Sequence, residues 1–377
     1  MSIEPAKKPL RVALLNNIVP PYRIGVYDTI GQHSNLTVLI SGFEANRRTW
    51  KNVLSGDEHF VVKKSWGFSI KIPKKKDGVT IDYAYVFINP GYFWDLMRMR
   101  PDALISTELG VRTMIAMVYG FIFRKPVWVW WGGTLHTVKS HRPLQHKIRK
   151  FLVKRIGHWV SYGASSTEYL LSLGVRRETI VQIQNCVDQK LYSPDVKPIF
   201  DAKPRPVVLH SGQLIKRKGV DYFLKAAKRV QDAGHEFSIL MVGGGPELEP
   251  LKQLAAELDL KNVVWERECT PAEMPGIYTS ADVLVFPTIE DVWGLVANEA
   301  MLCGVPVICS KFAGCYPEII PEENVFDPYD EAGFAEVLTR AIQGKIVKPV
   351  PGGLRTCESV GEQIIEDIEK VCRGASR

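Results

Sequence analysis

The stretch Ala281–Cys309, ADVLVFPTIEDVWGLVANEAMLCGVPVIC, decides the fold. Val283–Phe286 is a continuous apolar run of strand length, and Gly294 opens a helix expected from roughly Leu295 to Cys303. Gly304 ends that helix, and Val305–Cys309 is a second apolar, β-branched run. A strand, a helix and a strand in so short a span are the repeating unit of a parallel sheet covered on both faces. The rhythm extends outward. Strands are expected upstream at Val207–Leu209, Ser238–Val242 and Val263–Trp265. In the first half they are expected at Arg11–Leu15, Leu36–Ile40, Ala103–Ser106, Val127–Trp131, Trp159–Tyr162 and Ile180–Ile183. Ser193–Pro206 carries four prolines and no period, which marks a linker.

The expected architecture is α/β: two doubly wound, parallel-sheet (Rossmann-like) domains facing a cleft. The first would span residues 1–195 and the second 203–355. A last helix within 356–377, patterned over Glu358–Cys372 after the structure-breaking Lys348–Gly353 (KPVPGG), would pack back on the first. Such sheets bind ligands beyond the carboxyl ends of their strands, so the site is expected in the cleft.

Composition bounds the class. The 377 residues, 46% hydrophobic and 24% charged, have room for about two domains and exclude a disordered or fibrous chain. The apolar run Thr113–Phe123 is far shorter than the roughly 20 residues a bilayer span requires. With no signal-peptide core, an odd count of seven cysteines and no CxxC pair, a cytoplasmic setting is expected. The net charge of +7 is split: residues 1–200 hold 29 Lys and Arg against 14 Asp and Glu, and the remainder hold 19 against 27. A basic half faces something anionic, such as a phosphorylated substrate, a membrane surface or nucleic acid.

Three motifs in the second half carry chemistry. His210–Gly219 (HSGQLIKRKG) puts Gly212 and three cations, Lys216, Arg217 and Lys218, between a strand and a helix start, an arrangement that holds anions. It is not a Walker loop. Met241–Glu247 (MVGGGPE) places Gly243 and Gly244 in a strand-to-helix turn, but the spacing fails the dinucleotide fingerprint and disfavours a dehydrogenase. The third motif sets Glu290 and Asp291 before Gly294, with Glu299 one turn into the helix. The first amides of that helix, at Gly294, Leu295 and Val296, suit a diphosphate, while carboxylates accept hydrogen bonds from sugar hydroxyls. A nucleotide-sugar has both groups.

Taken in order, GQLIKRKG (212–219), VGGGP (242–246), ADVLVFPT (281–288) and DVWGLVANEAMLCGVPVI (291–308) resemble the retaining glycosyltransferases of family 4, of GT-B fold. The first half is similar more loosely, through LLNNIVPPYRIGVYD (14–28), ASSTEYLLSLGV (164–175) and IVQIQNCVD (180–188). The resemblance implies that Lys218 and the Gly212 loop hold the donor diphosphate, with Gly243 and Gly244 nearby and backbone contacts from Gly294, Leu295 and Val296. It further implies that Asp291 sits by the donor sugar and that Glu299 takes the ribose hydroxyls. The chain departs from the family at Asp291, usually Glu, with Glu290 one residue early. It departs also at Gln213, usually Arg, where Arg217 would supply the charge. Trp265–Glu268 (WERE) lacks the usual glycine and leaves the base open between UDP and GDP.

In the first half, His136 after Val127–Trp131 resembles the family's active-site histidine. Arg23, Gly25 and Glu108 are acceptor-side candidates. From Leu144 to Ile156 apolar residues recur at helical spacing (Leu144, Ile148, Phe151, Leu152, Ile156) among Lys147, Arg149, Lys150, Lys154 and Arg155. This is either a core-facing helix or one lying on anionic lipid. Lys71–Lys76 (KIPKKK) is expected in a loop. The reading is a retaining, metal-independent hexosyltransferase without cofactor. It would move a sugar from a nucleoside diphosphate to a lipid-linked saccharide or glycolipid, peripheral at the inner face of the plasma membrane. A nucleotide-sugar epimerase or a phosphorylase on the same fold is the alternative. A nucleic-acid binder is more distant, since no RRM, KH or helix-turn-helix pattern is present.

Overall fold

Each expected strand forms in one of two parallel sheets. The computed structural model describes residues 8–42, 54–76, 79–138, 149–267, 269–348 and 351–374. Leu144, Lys147, Ile148, Glu268, Pro349 and Val350, read above from the sequence, lie outside the described residues.

The first-half strands are β1 (Arg11–Asn16), β2 (Asn35–Ile40), β3 (Phe60–Lys64), β4 (Phe68–Lys76), β5 (Val79–Ile88), β6 (Ala103–Thr107), β7 (Val127–Trp131), β8 (His158–Ser161) and β9 (Ile180–Gln182). Seven of them form a sheet in the order β3-β2-β1-β6-β7-β8-β9, paired in parallel. The second half gives β10 (Val207–Ser211), β11 (Ser238–Val242), β12 (Val263–Glu266), β13 (Val283–Phe286), β14 (Val307–Ser310) and β15 (Val325–Phe326). These form a parallel sheet in the order β12-β11-β10-β13-β14-β15.

One expectation is corrected. Lys71–Lys76 is not in a loop but in β4, which pairs antiparallel with β5, Phe68 opposite Ile88 and Ile72 opposite Ala84. The alternation of Phe68, Ile70 and Ile72 with Ser69 and Lys71 is the period-2 pattern of a strand. Lysines and Pro73 suit a two-stranded ribbon, in which both strands are edges.

Helices α1 (Ile24–His33), α2 (Gly91–Met99) and α3 (Val111–Phe123) cover the first sheet. Successive β1 residues point to opposite faces. Val12 and Leu14 pack with Val26, Tyr27 and Ile30 of α1, whereas Ala13 and Leu15 pack with Tyr92 and Leu96 of α2 and Ala116 and Tyr119 of α3. The C-terminal helix Cys357–Gly374 joins the former layer through Val360, Ile364, Ile365 and Ile368.

The halves meet through polar contacts. Asn298 Nδ2 donates to the Asn185 carbonyl at 3.2 Å, and Ser165 Oγ donates to the Tyr316 carbonyl at 3.1 Å. Glu318 Oε1 accepts from the Ala164 amide at 2.8 Å and from Gln182 Nε2 at 2.7 Å. Its Oε2 is buried without a hydrogen-bond partner among the described residues. Burial raises the Glu318 pKa, and the two donors only partly oppose that. A carboxyl with a raised folded-state pKa binds its proton more tightly folded than unfolded, so ionisation costs stability, and the cost vanishes as pH falls through the folded pKa. Glu318→Gln is therefore expected to melt at or above the wild-type temperature at neutral pH, with the gap closing on acidification, as read by calorimetry. A melting point below wild type at neutral pH would refute this.

Candidate functional site

The cleft end of the second domain is built by the three glycine-containing loops. At the end of β10 the Gly212 amide donates to the Val242 carbonyl (3.0 Å), and the Leu214 amide donates to the Gly244 carbonyl (2.9 Å). The loops after β10 and β11 are thus zipped together. A Cβ on Gly243, whose φ is +140°, would stand 1.9 Å from the Gly212 carbonyl oxygen, so only glycine allows this approach.

Lys216–Lys218 forms a 3-10 turn after the Gly212 loop. The Arg217 carbonyl accepts from the Ile289 amide at 2.9 Å and from Thr288 Oγ1 at 3.0 Å, which fastens this turn to the segment after β13. Arg217 Nη1 donates to the Glu290 carbonyl (3.0 Å) and lies 3.6 Å from Asp291. Lys218 Nζ reaches Asp291 Oδ2 at 2.5 Å with both side chains nearly buried. Burial would raise the Asp291 pKa, but Lys218 foremost, then Arg217 and the Trp293 amide, hold it below the usual carboxylate range. His210, buried beneath, is pushed down to about 4 by burial and by Lys218, so it stays neutral at physiological pH.

Gly294 (φ +104°) turns the chain into the helix Leu295–Leu302, and a Cβ there would meet the Phe286 ring at 2.2 Å. Leu295 and Val296 form the first turn, beside the acids. Glu299 accepts from Tyr278 Oη at 2.5 Å and from the Tyr192 hydroxyl. Burial raises its pKa, against the pull of the two phenols. Nothing in the local sequence of Tyr192 or Tyr278 links either to Glu299; the buried Trp293 instead donates its Nε1–H to Asn298 Oδ1 at 2.8 Å.

Facing these groups is the carboxyl end of the first sheet. A cavity of about 520 Å³ is lined by Glu108, Trp130, Gly132, Gly133 and Arg149 on one side and by Arg217, Glu290, Asp291 and Val292 on the other. Glu108 is at φ +69° and pairs with Arg112. His136 is exposed, and its ring stands edge-on to Phe312 of the second domain at 5.1 Å. Arg23 is buried, with its guanidinium 4.2 Å from the Trp130 ring and 4.6 Å from that of Tyr162, and both rings line the cavity. Neither of its terminal nitrogens has a hydrogen-bond partner among the described residues. Gly25 lies against Cys357 at the start of the C-terminal helix and does not line the cavity.

In the described part of the basic stretch, residues 149–153 are helical. Leu152, Val153 and Ile156 are buried in a core cluster with Trp131 and Tyr169, whereas Phe151 is exposed.

Residues 195–352 match the family described as glycosyl transferases group 1. The chain is 34% identical over 241 residues to the 2-deoxystreptamine glucosyltransferase of Streptomyces kanamyceticus, covering 58% of this chain and 62% of that one. It is 24% identical over 310 residues to the sulfoquinovosyl transferase of Arabidopsis thaliana, covering 75% of this chain and 56% of the relative. The chain therefore spans little more than half the length of these curated relatives. Among solved structures, the lipopolysaccharide outer core galactosyltransferase WaaB superposes with a TM-score of 0.69 at 15% identity, covering 98% of this chain and all of that one. Anabaena HepE in complex with UDP and glucose gives 0.65 at 15% identity, with 97% and 98% covered. The two-domain GT-B fold is common to all three.

Proposed function

We propose that this chain, whose second half matches the group 1 glycosyl transferases, is a retaining glycosyltransferase acting without a metal. It moves a sugar from UDP or GDP to a hydroxyl of a lipid-linked saccharide or glycolipid at the cytoplasmic membrane face. The observation that carries the reading is the meeting of Lys218 and Arg217, from the Gly212 loop, with Asp291, from the motif after β13, at a cavity that Arg217 and Asp291 line and whose opposite wall is the first domain.

In the proposed reaction the bond from the anomeric carbon to the diphosphate oxygen breaks, and the acceptor oxygen bonds to that carbon on the same face. The acceptor proton passes to the departing phosphate oxygen. Charge grows on the diphosphate as it leaves. Lys218, Arg217 and the first amides of the helix Leu295–Leu302 stabilise it, in a site where such groups need little reorganisation. Asp291 positions Lys218 and faces the donor sugar. Glu299 accepts the ribose hydroxyls. His136 serves beside the reacting sugar, and Glu108 and Arg23 belong to the acceptor side.

Thermal shift against UDP, GDP and their sugars tests the assignment, because a ligand that binds only the native state stabilises it, by about 2.7 kcal/mol at a hundred times its Kd. Stabilisation by UDP or GDP, but not by both equally, is expected and would fix the base. No shift across the panel would refute nucleotide-sugar binding.

A further inference from the structure

Helix α3 is apolar all round. Its inward face, Ala116 and Tyr119, is buried against the first sheet. Its outward face should then be polar, as on an ordinary surface helix. Instead Met114, Val118, Phe121 and Ile122, four and three to four residues apart, form one stripe that is exposed, Phe121 to 87%. Arg112, in the first turn, is the one charged residue in the helix. At 13 residues the helix is too short to cross a bilayer, and no described helix is long and apolar enough to do so.

Beside the stripe runs a groove of about 870 Å³ whose far wall is Phe151, itself half exposed, with Leu152 and Ile156. Arg155 and Lys125 line the groove, Lys125 paired with Asp102, and the exposed Arg124, Lys150 and Lys154 are chain neighbours of the stripe and of the far wall. None of Arg124, Lys150, Lys154 and Arg155 pairs with a carboxylate among the described residues; the Arg155 guanidinium lies over the Phe151 ring at 3.7 Å. An apolar stripe flanked by unneutralised cations is the chemistry of an interfacial helix, whose apolar face sinks to the acyl boundary while the cations meet lipid phosphates.

We infer that the α3 stripe and its basic flank are the surface by which the protein docks on an anionic lipid leaflet. The inference deepens the membrane-face reading above and assigns it to α3. Glu108 and Leu109, which line the cleft cavity, immediately precede α3. Docking along the helix therefore puts the cavity within about 20 Å of the bilayer, one length of α3. That is within reach of a saccharide carried on a lipid. A second copy of the chain would bury the apolar stripe but would bring the four cations against their own kind, which disfavours it.

The test is co-sedimentation of the whole chain, without donor, with phosphatidylcholine vesicles with and without phosphatidylglycerol. Binding is expected only with the anionic lipid, weakened by salt, and lowered at least about 30-fold by Phe121→Ser with Ile122→Ser, since two inserted side chains are lost. If that pair fails to fold, Phe121→Ser alone serves, because so exposed a side chain supports no core. Wild-type failure to bind anionic vesicles, or unchanged binding by the variant, would overturn the inference. So would a wild-type dimer that Phe121→Ser dissociates without any vesicle binding. Stabilisation by nucleotides is read separately, so failure here leaves the transfer reading standing.

Discussion

Lys218→Ala is expected to lower the turnover of the proposed sugar transfer by about 10²–10³-fold, the loss typical when one preorganised donor to a developing negative charge is removed. Lys218 is fixed in place: its side chain is nearly buried, its ammonium is 2.5 Å from Asp291, and it sits 5.1 Å from the centre of the Phe286 ring. The lysine is neutralised by Asp291. A diphosphate would add negative charge there, and Arg217, more exposed than Lys218 and bonded to the Glu290 carbonyl, would have to give up that bond to share it. The same substitution leaves Asp291 buried without its main cation, which costs about 3 kcal/mol of stability or more. Stability and catalysis separate in the double variant. Lys218→Ala with Asp291→Ala is expected to recover much of the melting temperature but none of the turnover. Turnover within about threefold of wild type in Lys218→Ala would remove the lysine from the leaving-group site.

Lys218 and Asp291 are 73 residues apart; the sequence puts each at the donor site only through the family resemblance, and their contact comes from the fold. Each follows a continuous apolar run, and strands buried on both faces read as such runs. The two runs, β10 and β13, are neighbours in the second sheet, so the loops at their carboxyl ends share one edge. In β4 the alternation over Phe68–Ile72 gives way to Pro73 and Lys74–Lys76, which read as a loop, and a ribbon outside the main sheets needs no apolar run; β5 (VTIDYAYVFI) carries no such interruption. β3 was missed for a related reason: at the sheet edge, Lys63 and Lys64 give it a polar end. Gly243 was readable as a turn glycine, but its contact with the Gly212 carbonyl was not, because the contact depends on how two loops stack across β10 and β11. The tyrosines on Glu299 were illegible for the same reason. Tyr278 comes from a helix packed against the one that carries Glu299, and Tyr192 from the segment between the domains.

Those tyrosines determine how Glu299 should behave. Glu299→Ala is expected to weaken donor binding by about 10²–10⁴-fold, as two hydrogen bonds from ribose hydroxyls to a charged acceptor are lost at about 1.5–3 kcal/mol each. The loss falls mainly on KM, because the ribose is remote from the bond that breaks and is held alike in ground and transition states. Only the ionised carboxylate accepts from both hydroxyls. Burial raises the pKa of Glu299 from its ordinary value, so donor affinity measured by calorimetry should begin to fall on acidification at a higher pH than an exposed glutamate would set. Tyr278→Phe removes the hydrogen bond that most opposes that rise, so its acid limb should move to still higher pH while affinity at alkaline pH stays near wild type. Glu299→Gln, which keeps the shape and an acceptor oxygen, should bind weakly at every pH and lose the acid limb altogether. An unaltered acid limb in Glu299→Gln would mean that another group titrates. Wild-type KM in Glu299→Ala would mean that the ribose is held elsewhere and that the two tyrosines merely satisfy a buried acid.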